Sequence, residues 1–271
     1  YAITILTRIV IEAIVVCGLN GIVGYAGQIS LGHAAFFGIG AYSAALLSTQ
    51  AGLSFWSALP IVLLICALCG LLLGLPSLRL KQDFLAITTI GINFIVQAVF
   101  LYVPFFGGAL GISGIPRIRF LGEALKGPSF LYLCLACLAL VMAICWFFTR
   151  IFAGLACFAL REEESAATSM GISPVRFKLL AFMLGTVFAG LGGSLYAHYM
   201  RFVSAEDFSF PLSITFMSML VLGGMGTLLG PLVGALILGA LPEVFRPLAE
   251  FRILFYGLML LLMIRFQPGG I

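Results

Sequence analysis

Two cysteine pairs, Cys66/Cys69 and Cys134/Cys137, have the spacing of metal ligands. Neither has a histidine or carboxylate nearby in sequence to complete a coordination shell. All seven cysteines (Cys17, Cys66, Cys69, Cys134, Cys137, Cys145 and Cys157) lie in or beside apolar runs, where the thiol behaves as a small hydrophobe. A packing role is expected, with no metal. Arg8 and Glu12 stand four residues apart, so on a helix they share a face and can pair or snorkel. Asn93 and Gln97 have the same spacing and suit a polar seam or, as the preferred reading, bonds across helices. His198 sits between Tyr196 and Tyr199, as amphipathic rings do at a membrane interface. The apolar runs contain no paired carboxylates, metal cluster or nucleophile–base spacing, so no catalytic residue is expected. The phosphate-loop pattern GxxxxGK[ST] is missing, and Lys81, Lys126 and Lys178 each follow a residue other than glycine. The chain cannot hydrolyse ATP alone, and no nucleic-acid partner is expected.

The elements that must position these residues are membrane helices. The stretch from Ala13 to Leu78 has no Asp, Glu, Lys or Arg, and residues 84–116, 127–149, 179–200 and 208–242 are equally free of charge. The chain is 62% hydrophobic and 9% charged, against about 45–50% apolar and about 25% charged in soluble domains; its mean hydropathy is +1.21. A spanning helix needs about 20 apolar residues. These runs do not alternate as barrel strands would, so the expected fold is all-α: a polytopic transmembrane bundle of about 8–10 spanning or half-spanning helices. Helices are expected near residues 2–23, 33–50, 55–78, 84–103, 129–149, 179–200, 211–222, 231–241 and 253–266. A polar turn at Arg79–Asp83 and a Gly/Pro-rich loop at 104–128 are expected between them. The sequence begins at Tyr1 and not at a methionine, so an upstream segment is expected.

Positive charges do not orient the bundle. Arg79, Lys81, Arg150, Arg161, Arg176, Lys178 and Arg265 on one side face Arg117, Arg119, Lys126, Arg201, Arg246 and Arg252 on the other.

Two regions depart from plain spans. Residues 18–42 carry glycines at 18, 21, 24, 27, 32, 38 and 40 with the polar cluster Gln28, Ser30 and His33; residues 221–240 carry glycines at 223, 224, 226, 230, 234 and 239 around Pro231. The two are faintly alike. Gly-interrupted hydrophobic segments in two halves of a chain point to a transporter's path, because irregular backbone at membrane depth survives only beside protein or a wet cavity. Residues 208–242 as one helix would be about 52 Å long, too long for a core of about 30 Å, so two half-helices fit better. The expected path residues are Gln28, Ser30, His33, Gly224 and Gly226. The alternative is close helix packing by small residues, and for His33 an imidazole bonded to a neighbouring carbonyl.

Residues 150–178 hold the densest charge. Within them, 159–178 read as a wet helix of about three turns, with Glu162, Glu163 and Glu164 in its first turn, Gly171 in a left-handed terminal position and Pro174 as a stop. Ala166, Ala167 and Met170 form an apolar stripe suited to a partner's cleft; the alternative is a solvated connecting loop.

The segment REEESAATSMGI, Arg161 to Ile172, closely resembles the coupling segment with the EAA-and-glycine signature of ABC importer permeases. GYAGQISLGHAAFFGIGAY resembles the N-terminal signature of the M-type permease subunits of branched-chain amino acid importers. GLGGSLYAHY (190–199), VLGGMGTLLGP (221–231) and the FQPGGI ending are similar to the same subunits. The chain differs from the family at Ser165 and Thr168–Ser169, where a larger apolar residue and an acidic–small pair are commoner. The resemblance spans essentially the whole chain. It implies a single transmembrane permease domain over 1–271, with the cytoplasmic coupling segment 159–178 inside it, in the bacterial inner membrane. It implies as partners a second related permease, two cytoplasmic ATPases that bind ATP and Mg, and a periplasmic binding protein, with branched-chain or related neutral amino acids carried by alternating access. Residues 104–128 and 201–210 would face the periplasm. The residues it marks for ATPase coupling are Arg161, Glu162, Glu164, Ala166, Ala167, Met170 and Gly171. The rival classes are an ion-coupled secondary transporter, which needs unpaired acids in its spans where only Glu12 stands, one turn from Arg8, and a passive channel for a small neutral solute.

Overall fold

A computed structural model describes residues 2–77, 82–120 and 123–244. Its apolar runs fold as helices because a chain in hydrocarbon has to satisfy its own backbone. Helices α1 (Ala2–Asn20), α2 (His33–Thr49), α3 (Phe55–Ser77), α4 (Gln82–Tyr102) and α5 (Pro128–Arg150) precede the charged segment. That segment carries α6 (Phe152–Glu162) and α7 (Glu164–Ser169), and α8 (Pro174–Met200), α9 (Phe210–Gly223) and α10 (Gly230–Val244) follow. Among the described residues, Ala2–Tyr25, Phe55–Leu75, Phe84–Tyr102, Pro128–Arg150 and Pro174–Met200 are long and apolar enough to cross a membrane. The chain is a multi-pass helical membrane protein. The helix expected at 253–266 lies outside the described residues, as does the polar turn from Arg79 up to the start of α4.

Helices α1 and α8 form the centre, with 67% of their apolar window buried against 28% for α3, α4 and α5. The outer helices turn apolar stripes outward; on α3 these are Leu64, Leu68 and Leu72, spaced one turn apart. The central helices approach closely through small residues: Gly18 of α1 faces Gly185 of α8, and Gly40 of α2 faces Gly190. At Gly193 a methyl group would stand on the Phe37 carbonyl and 2.7 Å from the Ala41 nitrogen, so α2 and α8 touch backbone to backbone. Aromatic rings fill the core further out, where Tyr42 stacks on Phe100 at 4.0 Å and Phe37 meets Phe208 and Phe216 at 5.4 and 5.7 Å.

Residues 104–120 and 123–128 carry more regular structure than the loop expected there. After 3-10 turns at Pro104–Phe106 and Gly108–Leu110, β1 (Ile112–Ser113) pairs antiparallel with β4 (Phe202–Val203), and β2 (Arg119–Phe120) with β3 (Glu123–Ala124). Two-residue ladders are too short to leave an alternation in the sequence. Arg201 Nε donates to the Ile115 carbonyl at 3.2 Å and Trp56 Nε1 to that of Arg119 at 2.9 Å, fastening this end to α3 and α8. At the other end α8 begins at Pro174 and not near 179. Proline at the first helical position starts this helix, where the sequence reading made it a stop, because its missing N–H is an orphan there anyway.

The backbone contact at Gly193 gives a test. Gly193→Val is expected to destabilise the protein by about 1–3 kcal/mol, the range for overpacking, seen as a lower unfolding midpoint in detergent. Gly91→Ala, with nothing within 4 Å of the added methyl, is expected to leave the midpoint unchanged or slightly raised.

Candidate functional site

The two Gly-rich breaks meet each other. After Asn20, α1 widens into a π-turn at Gly21–Tyr25 and the chain leaves the helix, with Gln28 N–H reaching back to the Ile22 carbonyl at 3.0 Å. Between α9 and α10 the chain turns at residues 224–229, as the half-helix reading expected. Asn20 joins the two: its Nδ2 donates to the Thr227 carbonyl at 2.8 Å and its Oδ1 accepts from Gly226 N–H at 2.8 Å. The Thr227 hydroxyl donates to the Gly224 carbonyl at 3.0 Å and accepts from Gly230 N–H at 3.0 Å, which closes the turn and caps the start of α10.

Arg161 enters the same place from the last turn of α6. Its Nη1 donates to the Gly24 carbonyl and its aliphatic stem lies along Gly27. A side chain at Gly226, whose φ is +84°, would begin 2.5 Å from Arg161 Nη1 and 3.1 Å from the Gly24 oxygen, so only glycine leaves the guanidinium its seat. Arg161 and Gly226, expected in different roles, thus share one junction, and Gly224 belongs to the same turn.

The other expected path residues lie along the first break. Gln28, Ser30 and His33 are buried, and among the described residues both amide atoms of Gln28, the Ser30 hydroxyl and His33 Nδ1 have no hydrogen-bond partner. His33 Nε2–H donates to the Val15 carbonyl at 3.2 Å, the carbonyl bond weighed for it. Leu31 N–H is held by the Thr89 hydroxyl of α4 at 3.0 Å, and Ala34 N–H by the Ser213 hydroxyl of α9 at 3.0 Å. Gly32 has no side chain to cap α2, so neighbouring helices do it. Sequence reasoning missed Asn20, Thr89 and Ser213. Asn20 was visible as an amide at the mouth of the Gly-rich stretch; Thr89 and Ser213 act across distances in sequence that carry no local signal. Among the described residues the cross-helix bonds preferred for Asn93 are not made: both atoms of its amide are buried and find no partner there.

The wet segment is two helices, not one. The chain extends at Glu163 (φ −153°, ψ 104°), so Glu162 ends α6, Glu163 joins the two helices without a side-chain cap and Glu164 alone opens α7. Ser165 Oγ donates to Glu163 Oε1 at 2.6 Å and Lys178 Nζ to Glu164 Oε2 at 2.6 Å, bonds that fix the kink and tie α7 to α8. Helix α6 lies on the bundle: Cys157 and Leu160 are buried, and Phe158 meets Tyr25 of the π-turn at 5.3 Å. Burial pushes the Cys157 thiol up to about 12, which makes it an inert packing group. On α7, Ala167 is buried, contrary to the outward apolar stripe expected for it, on a helix that the Glu164–Lys178 pair draws onto α8. Ala166 and Met170 stay outside, with Met170 85% exposed. Gly171 takes φ +85°, and the helix ends there with Ile172 N–H bonded to the Ala167 carbonyl at 3.1 Å.

Broken helices that meet beside a charged segment, in a bundle with several helices apolar enough to cross a membrane, define a class: a multi-pass permease. The chain belongs to the family described as "Branched-chain amino acid transport system / permease component", whose model matches residues 1–266. It is 38% identical to the high-affinity branched-chain amino acid transport system permease protein LivM of Escherichia coli, over 98% of this chain and 69% of that protein. It is 25% identical to a probable LivM of Methanocaldococcus jannaschii over 78% of this chain and 67% of that protein. To the E. coli permease LivH it is 29% identical over 44% of this chain and 39% of that protein. No solved structure matches the chain.

The Asn20 junction is open to mutation. Asn20→Ala removes two hydrogen bonds and is expected to cost about 1–3 kcal/mol. Asn20→Asp keeps an acceptor for Gly226 N–H but sets a second oxygen against the Thr227 carbonyl, so it is expected to be at least as damaging; unfolding midpoints of the purified permease decide the order.

Proposed function

We propose that the chain is the permease subunit of an ATP-driven importer that moves branched-chain or related neutral amino acids across the bacterial inner membrane. In this reading it pairs with a second, related permease. Two cytoplasmic ATPases bind ATP and Mg and carry out hydrolysis, and a periplasmic binding protein delivers the substrate. The end with α6 and α7 is cytoplasmic, and the end with 104–128 and 201–210 is periplasmic. The relatives, named as branched-chain amino acid permeases, support the substrate class. The observation that carries the coupling is Arg161, which reaches from the charged segment onto the Gly24 carbonyl at the point where the two breaks meet.

The mechanism follows from that contact. The ATPase seats on the outer face of the coupling segment, at Glu162, Ala166 and Met170, with Glu164 tying α7 to α8 through Lys178 and Gly171 shaping the exit. Closing of the ATPases displaces α6 and α7, and α6 acts on Gly24 through Arg161. Because Asn20, one turn before Gly24, holds the turn at 224–229, the α9–α10 hairpin shifts with the first break, alternating access along Gln28, Ser30 and His33. Nothing in this scheme asks the permease itself for catalysis.

In proteoliposomes carrying the whole importer, Arg161→Ala is expected to reduce L-leucine uptake about tenfold or more, the scale of one charge-assisted hydrogen bond, and Gly171→Val to reduce it by straining the positive-φ exit of α7. ATP hydrolysis and subunit assembly should persist. Undiminished uptake by both assembled variants would overturn the coupling role.

A further inference from the structure

At the end of the bundle away from α6 and α7, a cavity of about 450 Å³ opens between the first turns of α1, the end of α8, the 3-10 turn Ala205–Phe208 and the start of α9. Its size falls within the range of small-molecule pockets, about 300–1,000 Å³. Most of its wall is apolar, formed by Ile11, Phe37, Leu212 and Phe216, and three charged side chains reach it: Arg8, Glu12 and Asp207. Arg8 Nε donates to Glu12 Oε1 at 2.8 Å; the Arg8 side chain is 68% exposed and that of Glu12 9%. The pair therefore runs from the open mouth into the buried wall. Asp207 is fixed by accepting Ser204 N–H at 3.0 Å. A carboxylate held inside a spanning helix is costly, and such groups mark substrate or ion pathways.

Both signs of charge beside a compact apolar wall match one ligand chemistry. We propose that this cavity is an outward-facing subsite for a zwitterionic amino acid with an aliphatic side chain. Glu12 and Asp207 hold the ammonium, the Arg8 guanidinium takes the carboxylate, and the side chain packs among Ile11, Phe37, Leu212 and Phe216. The ligand opens the Arg8–Glu12 contact by substituting for it. Each member keeps an opposite charge, which avoids the penalty of an uncompensated buried ion. A polar side chain would leave its hydrogen-bonding groups unpaired against the apolar wall, so the site selects for aliphatic cargo. The proposal rests on the reading of the chain as an amino-acid permease. It places the substrate some distance from the path residues inferred from the Gly-rich breaks, at the point of entry.

The test uses the assembled permease–ATPase complex without binding protein, and reads the shift of its unfolding midpoint with added L-leucine, leucinamide or 4-methylpentanoate. L-Leucine is expected to stabilise the complex, while leucinamide, without a carboxylate, and 4-methylpentanoate, without an ammonium, do not. The near-isosteric Glu12→Gln should need about tenfold more leucine for the same shift. Leu212→Trp, which fills the cavity and leaves the charges in place, should abolish the response and covers the case in which Glu12→Gln fails to assemble. Unchanged leucine responses in the assembled variants, equal shifts from all three compounds, or a tightly retained phospholipid chain in the cavity would each overturn the assignment. A wild-type importer that takes up no branched-chain amino acid at all would instead overturn the proposed function.

Discussion

Backbone that leaves the helix inside a membrane protein must find new partners for its N–H and C=O groups, and here the second such stretch finds them in a side chain at the edge of the first. The Asn20 amide is the link: one end receives Gly226 N–H and the other donates to the Thr227 carbonyl. An amide is suited to this as no charged or apolar side chain is, since it offers donor and acceptor from one planar group. With Arg161 on the Gly24 carbonyl, three segments far apart in sequence converge at one end of the bundle. The tight glycines of the region follow from that convergence, because the guanidinium, the π-turn and the α9–α10 turn occupy adjoining space.

Helix α9 is fastened to the first break twice. Its C-terminal turn is held by Asn20, and one face of the helix reaches the start of α2 through Ser213 and Ala34 N–H. Helix α4 adds Thr89 on Leu31 N–H. The break at 26–32 is therefore suspended from elements on either side and not from its own side chains. A displacement of α9 acts on the start of α2 through hydrogen bonds, whereas α2 and α8 are locked by backbone contact at Gly193. The α9–α10 hairpin joins the centre of α1, α2 and α8 by apolar packing as well, with Phe216, Met219, Leu220 and Leu238 buried in the common core, so the polar contacts add direction to an attachment that is mainly hydrophobic.

Much of this was legible in the sequence, and the reasons differ by residue. The membrane helices follow from charge-free runs whose length matches the bilayer, and the split of 208–242 follows from the same arithmetic. Gly171 was legible because its conformation depends only on its neighbours along the chain. The kink at Glu163 was not, since three consecutive glutamates read as one helix start until Lys178 and Ser165 draw two of them in different directions. The inward face of Ala167 and the inward reach of Arg161 were hidden for the same reason: side-chain direction on a short helix is set by what lies beneath it. The ladder of β1 with β4 is two residues long and joins positions about 90 apart, so no local pattern records it.

The two histidines show how satisfaction separates a structural group from a candidate functional one. His198 uses both ring nitrogens: Nδ1–H donates to the Ser194 carbonyl at 2.9 Å and Nε2 accepts from the Ser48 hydroxyl at 3.1 Å, so the ring is complete within α8 and α2. His33 is equally buried but uses only Nε2, and its idle Nδ1 belongs to a set that includes Gln28, Ser30 and Asn93. Each buried polar atom left without a partner costs about 1–3 kcal/mol, and a core able to seat His198 fully shows that the fold can meet such needs. On the proposed reading, the hydrogen-bonding capacity left without partners among the described residues beside the first break serves a passage for water and a polar solute, because groups already bonded to protein have nothing to offer a passing ligand.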